Sequence, residues 1–160
     1  MNDPYGTLHA SAITAIGRTR LSAPMGLLSK KGLLKGRVLD HGCGRGFDSK
    51  ALGVEGWDPW WNPDPKPESG AYDTITSIYV LNTLRFQKDR NAVLADIRRL
   101  LKPDGTAYVA VRNDKGSLRG DTGKGTWQGL VELDAPLEAK TAGFAIYAIR
   151  GGLDVQEKRR

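Results

Sequence analysis

The chain has few of the residues that build disulfides and metal sites. Cys43 is the only cysteine among its 160 residues, and His9 and His41 are the only histidines. A lone cysteine excludes an internal disulfide and is typical of proteins in the reducing cytoplasm. So few thiols and imidazoles, spread along the chain, argue against a zinc site. We therefore expect a cytoplasmic protein without a bound metal.

Long apolar runs are also missing. No stretch approaches the roughly 20 apolar residues that cross a bilayer, and the N-terminus lacks the pattern of a signal peptide. The length suits one domain over residues 1–160, large enough for a real core. Within it, residues 1–21 predict a loosely structured arm, and the polar residues 151–160 predict a frayed tail.

Acidic residues are fewer than basic residues, which gives the chain a formal net charge of +6. A basic balance is compatible with a nucleic-acid or other anionic partner. A solvated surface that keeps the protein soluble explains the same charge, because acidic residues are interspersed. The basic residues that cluster along the chain are Arg18, Arg20, Lys30, Lys31, Lys35 and Arg37, followed by Arg112, Lys115, Arg119 and Lys124.

Hydrophobic patterning predicts strands that alternate with helices. Strands are predicted at 38–41, 54–57, 73–79, 106–111, 126–133 and 144–150, and helices at 22–31, 46–52 and 89–102. Such alternation favours an α/β fold with a mostly parallel sheet covered on both faces. The last two strands are close enough along the chain to pair antiparallel, and the glycine-rich residues 113–125 predict a mobile loop.

The most informative segment follows the first strand. Glycine stands at Gly42, Gly44 and Gly46, directly after Asp40. Glycine tolerates positive φ and lets bare backbone approach a ligand. The dinucleotide fingerprint Gly-x-Gly-x-x-Gly would need another glycine where Phe47 stands, which makes a nicotinamide enzyme the weaker interpretation. Asp40 can accept backbone N–H bonds in this turn or pair with a ligand ammonium, and Cys43 is a small filler of the turn.

Asp58 closes the second predicted strand. A carboxylate at that position can accept hydrogen bonds from both hydroxyls of a ribose, or it can cap the turn that precedes Pro59. Trp60 and Trp61 follow at once, and we expect one of them to stack on a base and the other to plug the core. Tyr79 and Asn82 follow the third strand and are the predicted catalytic positions of the reacting pocket. Thr126 to Gln128 either start a hairpin strand or close over the substrate, and Arg18 to Ser22 can fold across the mouth.

These segments together resemble the Rossmann-like S-adenosylmethionine-dependent methyltransferases. The resemblance is carried by Val38 to Gly46, by Gly56-Trp57-Asp58, by Asp73 to Asn82 and by Leu100 to Gly105, in that order and at matching spacing. It implies S-adenosylmethionine as cofactor and a methyl acceptor of unidentified class. By the same resemblance, Asp40, Gly42, Cys43, Gly44 and Gly46 hold the methionine part, Asp58 the ribose, and Ser77, Ile78 and Tyr79 flank the sulfonium. Trp60 or Trp61 is expected to bind the adenine, with Trp60 as the predicted site residue.

The full chain is similar to a compact phage and bacterial subgroup, related to methyltransferases encoded near DNA-modification genes. It departs from the larger family between Asp58 and Asp73, where a proline-rich segment leaves no room for the usual helix, strand and helix. We therefore expect an abbreviated Rossmann-like methyltransferase sheet with one strand and its helices missing, and with a C-terminal antiparallel strand. The Asn/Asp/Ser-Pro-Pro-aromatic motif of DNA amino-methyltransferases is also absent at Ser77-Ile78-Tyr79-Val80.

Two other interpretations remain open. The net charge and the shortened segment are compatible with a nucleic-acid interaction module that keeps a cofactor pocket without turnover. A nicotinamide oxidoreductase is the weaker rival, because of Phe47. The sequence leaves the oligomeric state open, and an exposed sheet edge would allow a homo-oligomer.

Overall fold

The computed structural model describes residues 8–159 of the chain, with side chains from residue 10 onward. The helices of this part are α1 (Leu8–Ala12), α2 (Ala23–Lys30), α3 (Phe47–Leu52) and α4 (Gln87–Leu100), with a 3-10 turn at Leu81–Thr83. The strands are β1 (Val38–His41), β2 (Glu55–Trp57), β3 (Tyr72–Ile78), β4 (Leu101–Arg112), β5 (Arg119–Asp121), β6 (Trp127–Gly129), β7 (Leu137–Lys140) and β8 (Phe144–Arg150).

Six of these strands form one sheet in the order β2-β1-β3-β4-β8-β7. The pairs that join β2, β1, β3 and β4 are parallel, whereas β8 runs antiparallel to β4 and to β7. Residues 58–71 hold neither a helix nor a strand. The predicted α/β fold is confirmed, including the abbreviated segment after β2 and the antiparallel C-terminal strand.

Both faces of the sheet are covered. On one face, Leu28 of α2 packs against Tyr108, Ala110 and Ile146. On the other face, the apolar side of α4 packs into the larger core, which also contains Leu39, Ile75 and Val109. Because β1 and β3 are central and buried on both sides, their sequences are nearly continuous apolar or small-polar runs.

The helix α4 follows the apolar spacing seen in the sequence. Val93, Ile97 and Leu100 are buried on its inner side. It begins two residues before the predicted start and ends at Leu100, because the next residue, Leu101, already pairs with Tyr72 of β3. The segment Pro103-Asp104-Gly105 lies inside β4, where the register between β3 and β4 shifts before Thr106.

The prediction for residues 113–133 was wrong in two respects. The loop contains β5, and the predicted strand 126–133 is shortened to β6, which pairs antiparallel with β5 in a separate two-stranded sheet. Gly123 and Gly125 adopt positive φ, of 73° and 77°, and allow the tight hairpin between these strands. Thr126 to Gln128 therefore start a hairpin strand, one of the two roles considered for them.

The partner of β8 was also predicted wrongly. Phe144–Arg150 pairs with Leu137–Lys140 and with β4, not with residues 126–133. The segment Leu137-Glu138-Ala139-Lys140 contains no β-branched residue, so its composition does not indicate a strand. Pairing with β8 makes it an edge strand, and the lysine at its end suits an edge exposed to solvent.

The C-terminal segment is packed where the sequence indicated fraying. Backbone N–H groups of Asp134 and Lys158 donate to carbonyls of Gln156 and Glu132, over 2.8 and 2.9 Å. Arg90 of α4 holds the segment at Glu157 through a 2.5 Å bond from Nε to Oε1. Only 11% and 14% of these two side chains remain exposed. The predicted arm, in turn, contains α1, although residues 1–7 lie outside the described part of the chain.

Arg90 connects three parts of the fold. Its Nη1 donates to the carbonyls of Leu84 and Arg85, over 2.6 and 3.0 Å. Its guanidinium carbon also lies 5.4 Å from the centroid of the Trp127 ring. The start of α4, the β5–β6 hairpin and the C-terminal segment thus meet at one buried cation. None of the helices in residues 8–159 combines the length and the apolar composition needed to cross a membrane.

Replacing Arg90 tests this connection. We expect Arg90→Ala to lower the free energy of unfolding by about 3 kcal/mol, because it leaves a buried carboxylate and two carbonyls without their donor. Urea unfolding followed by circular dichroism measures the change. Arg98→Ala on the same helix is the control, since Arg98 is half exposed and 3.8 Å from its partner Asp154; it should shift stability by less than about 0.5 kcal/mol. Equal losses in both variants would contradict the role of Arg90.

Candidate functional site

Two adjoining cavities lie at the edge of the sheet where β1, β2 and β3 end. Their empty volumes are about 580 and 480 Å³. Ala15, Gly42, Gly44 and Ile78 line both of them. In parallel sheets, ligands bind beyond the carboxyl ends of the strands. The two cavities form one elongated site over the glycine-rich turn, with a first part toward Asp58 and a second part toward Asp40.

The glycine-rich turn is built from left-handed backbone. Gly42, Gly44 and Gly46 have φ values of 77°, 56° and 84°, which side chains rarely adopt. A Cβ at Gly42 would also lie 2.5 Å from Cγ2 of Val80. The carbonyl of Trp57 fixes the turn by accepting bonds from the N–H groups of Gly42 and Cys43, at 2.8 and 3.0 Å. The three predicted glycines therefore lie together in the site.

Asp58 lines the first cavity and also holds the loop around it. Its Oδ2 accepts a 2.9 Å bond from the N–H of Gly44, and its Oδ1 accepts bonds from the N–H groups of Trp60 and Trp61, each at 2.9 Å. The turn-capping role considered for this residue is thus present. A carboxylate has about four lone-pair sites, so Asp58 retains capacity for ligand hydroxyl groups.

Asp40 is buried beneath the second cavity. Burial raises the pKa of its carboxyl to about 7, with the carboxylates of Asp48 and Asp58 adding to the effect. The hydroxyl of Thr76 donates a 3.0 Å bond to Oδ1 and opposes the increase only in part. A cation placed above this group would favour its ionised form.

The other charged residues that line the second cavity are Arg18, Arg45 and Asp48. Arg18 is half-buried and forms no ion pair with the residues that the structure describes. Asp48 accepts bonds from the N–H and the hydroxyl of Ser22, at 3.0 and 2.5 Å. Ser22 therefore precedes α2 without capping it through its side chain. The second cavity is lined by two cations, Arg18 and Arg45, and by two carboxylates, Asp40 and Asp48.

The segment after α1 covers the first cavity. Ser11, Ala12, Thr14 and Ala15 line it. The hydroxyls of Ser11 and Thr83 lie 2.7 Å apart, which joins this segment to the turn after β3. Part of the predicted arm therefore forms a wall of the site, and Arg18 lines the second cavity.

The two tryptophans after Asp58 do not take the predicted positions. Trp60 is 48% exposed and does not line either cavity. Trp61 is 41% exposed; its Nε1 donates to the carbonyl of Ala12 over 3.1 Å, and Arg45 stacks on its ring at 4.9 Å. The core is filled instead by Trp57, which is 8% exposed. The proline-rich segment places the later indoles outside, where they support the covering segment.

The residues that end β3 are divided between core and site. Ile78 lines both cavities, and Tyr79 lines the first. Tyr79 has a positive φ of 59°, the one non-glycine residue of this kind in the described chain. Ser77 is fully buried, lines neither cavity, and its Oγ has no hydrogen-bond partner. The strained backbone at Tyr79 turns its side chain toward the mouth of the site.

A third, more open cavity of about 960 Å³ begins at Tyr79. Asn82 and Gln128 line it, and Nδ2 of Asn82 donates to Oε1 of Gln128 over 2.9 Å. Arg112 and Asp114 stand beside this pair, with the guanidinium bonded to the carboxylate. Both predicted catalytic positions thus lie in one cavity, and Arg18 borders it as well. The sequence left open whether Thr126 to Gln128 close over the substrate, and the position of Gln128 in this cavity depends on the β5–β6 hairpin.

The surroundings of Cys43 and His41 suit a structural role for both residues. Burial raises the pKa of the Cys43 thiol to about 12, which leaves it protonated and unreactive at neutral pH. Nε2 of His41 lies 2.7 Å from Oδ2 of Asp96 on α4, and its ring is 5.0 Å from that of Trp57. Among the residues that the structure describes, His, Cys, Asp and Glu side chains do not gather in any group of three that would hold a metal ion.

The geometry suits a nucleoside that carries a charged amino-acid chain. The first cavity is walled by apolar side chains with Asp58 at its rim, which fits a base and a ribose. The second cavity combines bare glycine backbone with Asp40 and Arg18, which fits an ammonium and a carboxylate. The third cavity shares Tyr79 with the first cavity and Arg18 with the second. A ligand spanning the first two cavities would expose its middle to the third.

Several solved structures with this fold are methyltransferases. One is the 1,6-didemethyltoxoflavin N1-methyltransferase of Burkholderia thailandensis, at 15% identity and a TM-score of 0.58, covering 93% of this chain and 81% of that one. Another is the N-methyltransferase NodS of Bradyrhizobium japonicum, at 12% identity and a TM-score of 0.56, covering 92% of this chain and 100% of that one. A SAM-dependent methyltransferase of Methanosarcina mazei shows 16% identity and a TM-score of 0.54, covering 85% of this chain and 100% of that one. At these identities the likeness shows the fold alone.

No curated protein matches the chain. A family model does match, over residues 15–134, and that family is described as a methyltransferase domain. The matched range contains the glycine-rich turn, Asp58, Tyr79 and Gln128, and it covers most of the sheet. The chain therefore belongs to the methyltransferase-domain family.

Proposed function

We propose that this protein transfers a methyl group from S-adenosylmethionine to an acceptor that enters through the cavity of Asn82 and Gln128. The observation that carries the proposal is the two-part cavity over the glycine-rich turn, with Asp58 at one end and Arg18 beside Asp40 at the other. The family is one of methyltransferases, and S-adenosylmethionine is the methyl donor that this pair of cavities fits.

Each part of the donor has matching residues. Asp58 accepts bonds from the ribose hydroxyls, and the adenine lies against Pro59, Leu84 and Val93 in the first cavity. The carbonyls of the glycine-rich turn, with the carboxylate of Asp40, accept hydrogen bonds from the ammonium of the methionine part. The guanidinium of Arg18 holds its carboxylate. Trp60 has no part in this arrangement, because its ring lies outside the cavity.

The sulfonium of the bound donor supplies an electrophilic methyl group, and the chain supplies alignment. Tyr79 lines both the first cavity, which would hold the donor, and the third cavity, which would hold the acceptor, so an acceptor beside Tyr79 would lie next to the methyl group. Alignment of this kind contributes up to about 7–11 kcal/mol to a reaction barrier. The covering segment with Ser11 and Ala15 excludes water from the donor.

The acceptor cavity offers hydrogen-bond donors and no strong base. The bond from Arg112 lowers the pKa of Asp114, and burial raises the pKa of the Tyr79 phenol. Neither group is therefore suited to remove a proton near neutral pH. The acceptor brings its own lone pair, and the amides of Asn82 and Gln128 orient it.

Three further features support more specific proposals about location, subgroup and assembly. A free thiol at Cys43 is in keeping with a cytoplasmic location. The short segment after Asp58 supports membership of the compact phage and bacterial subgroup. The edge strand β7 leaves backbone groups that a second copy of the chain can pair with in a homo-oligomer.

Removing the carboxylate of Asp58 tests the donor site. We expect Asp58→Ala to weaken the binding of S-adenosylhomocysteine roughly 10- to 100-fold, because bonds from hydroxyls to a charged acceptor are lost. Isothermal titration calorimetry measures the affinity. Asp104→Ala is the control, because Asp104 is an exposed carboxylate outside the cavities. If the affinity of Asp58→Ala equals that of the control, the ribose assignment is wrong.

Asp40 allows a test in which stability and binding change in opposite directions. Its folded pKa of about 7 lies above the ordinary 3.8, so ionisation inside the fold is unfavourable. The contribution of Asp40 to the free energy of unfolding should fall by on the order of 4 kcal/mol as pH rises from about 4 to about 7, and then level off. Asp40→Asn should lose that dependence and be more stable than the wild type at pH 8, while binding S-adenosylhomocysteine roughly tenfold more weakly.

Urea unfolding at several pH values, together with calorimetry at pH 8, checks both parts. Asp104→Asn serves as the control and should keep the wild-type pH dependence and affinity. If Asp40→Asn is no more stable than the wild type at pH 8, the cost assigned to the buried carboxylate is contradicted. If it binds with wild-type affinity, the role of Asp40 toward the ammonium is contradicted.

Turnover is tested with labelled S-adenosylmethionine and fractionated bacterial extract. We expect radioactivity to pass into one of the nucleic-acid, protein or small-molecule fractions, and Asp58→Ala to abolish the transfer. Gln128→Ala should reduce transfer roughly tenfold while the affinity for S-adenosylhomocysteine stays unchanged, because Gln128 lines only the acceptor cavity. Tight binding of S-adenosylhomocysteine without transfer into any fraction would instead support a cofactor-binding module without turnover.

A further inference from the structure

A wide cleft lies on the other side of the β5–β6 hairpin from the acceptor cavity. It has an empty volume of about 1280 Å³ and is lined by residues of the hairpin, of α4 and of the C-terminal segment. The ring of Trp127 forms part of its wall, beside the guanidinium of Arg90. The proposed methyl transfer does not use this cleft.

Positive charge dominates the cleft. Arg119, Lys158 and Arg159 are exposed side chains at its border. None of the three forms an ion pair with a described residue. Two carboxylates line the cleft. Glu157 forms an ion pair with Arg90, so Glu132 is the carboxylate left to offset the positive charge of the cleft. The cleft therefore attracts polyanions.

An exposed aromatic ring continues this surface. Phe86 is 46% exposed, and the cationic groups of Arg85 and Lys88 lie 5.6 and 5.9 Å from the centroid of its ring. Gln87, the next residue, lines the cleft. Phe86, its two cations and the cleft form one face, which we name the cationic face. On it, aromatic rings alternate with unpaired positive charges.

The cationic face adjoins the acceptor cavity. Trp127 and Gln128 are consecutive residues of β6, and Trp127 lines the cleft while Gln128 lines the acceptor cavity. A polymer lying in the cleft would need to pass only the edge of the short hairpin to place one of its units beside Tyr79. The hairpin thus separates a binding surface from a reaction site by the width of one strand.

We propose that the cationic face binds single-stranded nucleic acid. Arg85, Lys88 and Arg119 contact phosphates, while bases stack on Phe86 and Trp127. An acidic peptide would use the charges and leave the rings without a purpose, whereas base stacking on aromatic rings is worth about 1–3 kcal/mol per base. A duplex is disfavoured because its bases are already stacked on each other. The further consequence, that a base of the strand is the methyl acceptor, rests on the proposed function.

Two triple variants with the same net charge distinguish binding by the cationic face from a general effect of net charge. Arg85→Ala/Lys88→Ala/Arg119→Ala removes cations of the face, and Lys30→Ala/Lys35→Ala/Lys66→Ala removes exposed lysines elsewhere; each lowers the formal net charge from +6 to +3. Fluorescence anisotropy with fluorescein-labelled oligothymidylate measures binding over a series of salt concentrations. We expect the first variant to bind at least tenfold more weakly and with a shallower salt dependence. The second should stay within about threefold of the wild type.

Phe86→Ala tests stacking without a change in charge. It should weaken binding roughly tenfold, by loss of one stacked base. Leu137→Ala, which shortens another exposed apolar side chain, is the control and should bind as the wild type does. Because both residues are exposed, these variants keep the fold, which circular dichroism verifies.

The proposal is overturned if both triple variants lose affinity equally, if duplex DNA binds as tightly as the single strand, or if polyglutamate competes as well as unlabelled oligothymidylate. It is overturned as well if the wild type does not bind oligothymidylate at low salt. Calorimetry with S-adenosylhomocysteine, run on the same samples, keeps the two proposals apart. If the protein binds S-adenosylhomocysteine but not oligothymidylate, only the proposal for the cationic face is contradicted. If it does not bind S-adenosylhomocysteine, the proposed function is contradicted.

Discussion

The carboxylate of Asp58 joins the two loops on which the site depends. One oxygen accepts the N–H of Gly44 in the turn after β1, and the other accepts two N–H groups of the loop after β2. Glycine alone does not hold the turn, because its flexibility permits many conformations. The shape of the donor cavity therefore depends on a charged acceptor that belongs to the neighbouring strand. The same group is then available to a ribose, so the fold and the proposed binding share one residue.

The shortened segment after β2 changes what closes the site. With neither helix nor strand between Asp58 and Ala71, the sheet ends at β2, and the first cavity lacks a wall on that side. The chain supplies one from its N-terminal part, whose residues Ser11 and Ala12 are tied to Thr83 and Trp61. Trp61 thus holds this wall from outside, and Trp60 lines neither the first nor the second cavity. A compact sheet is compatible with an enclosed donor cavity because a segment distant in sequence covers it.

Electrostatics divides the molecule into regions with different partners. Buried Asp40 with its raised pKa suits a cationic group. Arg18 suits an anionic one, and the amides of Asn82 and Gln128 suit an uncharged acceptor. Beyond the β5–β6 hairpin, unpaired cations surround Trp127 and Phe86. Arg90 stabilises this arrangement, since it anchors the hairpin, the start of α4 and the C-terminal segment at one point. The reaction site and the cationic face are therefore held in fixed relation by one buried residue.

The sequence alone determined the central sheet and the glycine-rich turn. Apolar runs with turn residues at their ends are local signals, so β1, β3 and α4 were predicted close to their observed bounds, and Asp58 was placed at the end of β2. The positions of Trp60, of Ser77 and of β7 were decided only by the tertiary structure. An indole can fill a core or lie on a surface, and Leu137 to Lys140 become a strand only because β8 offers a partner. Gln128 enters the acceptor cavity for the same reason: its position is set by hairpin pairing and by Arg90, contacts between residues far apart in the chain that periodicity does not encode.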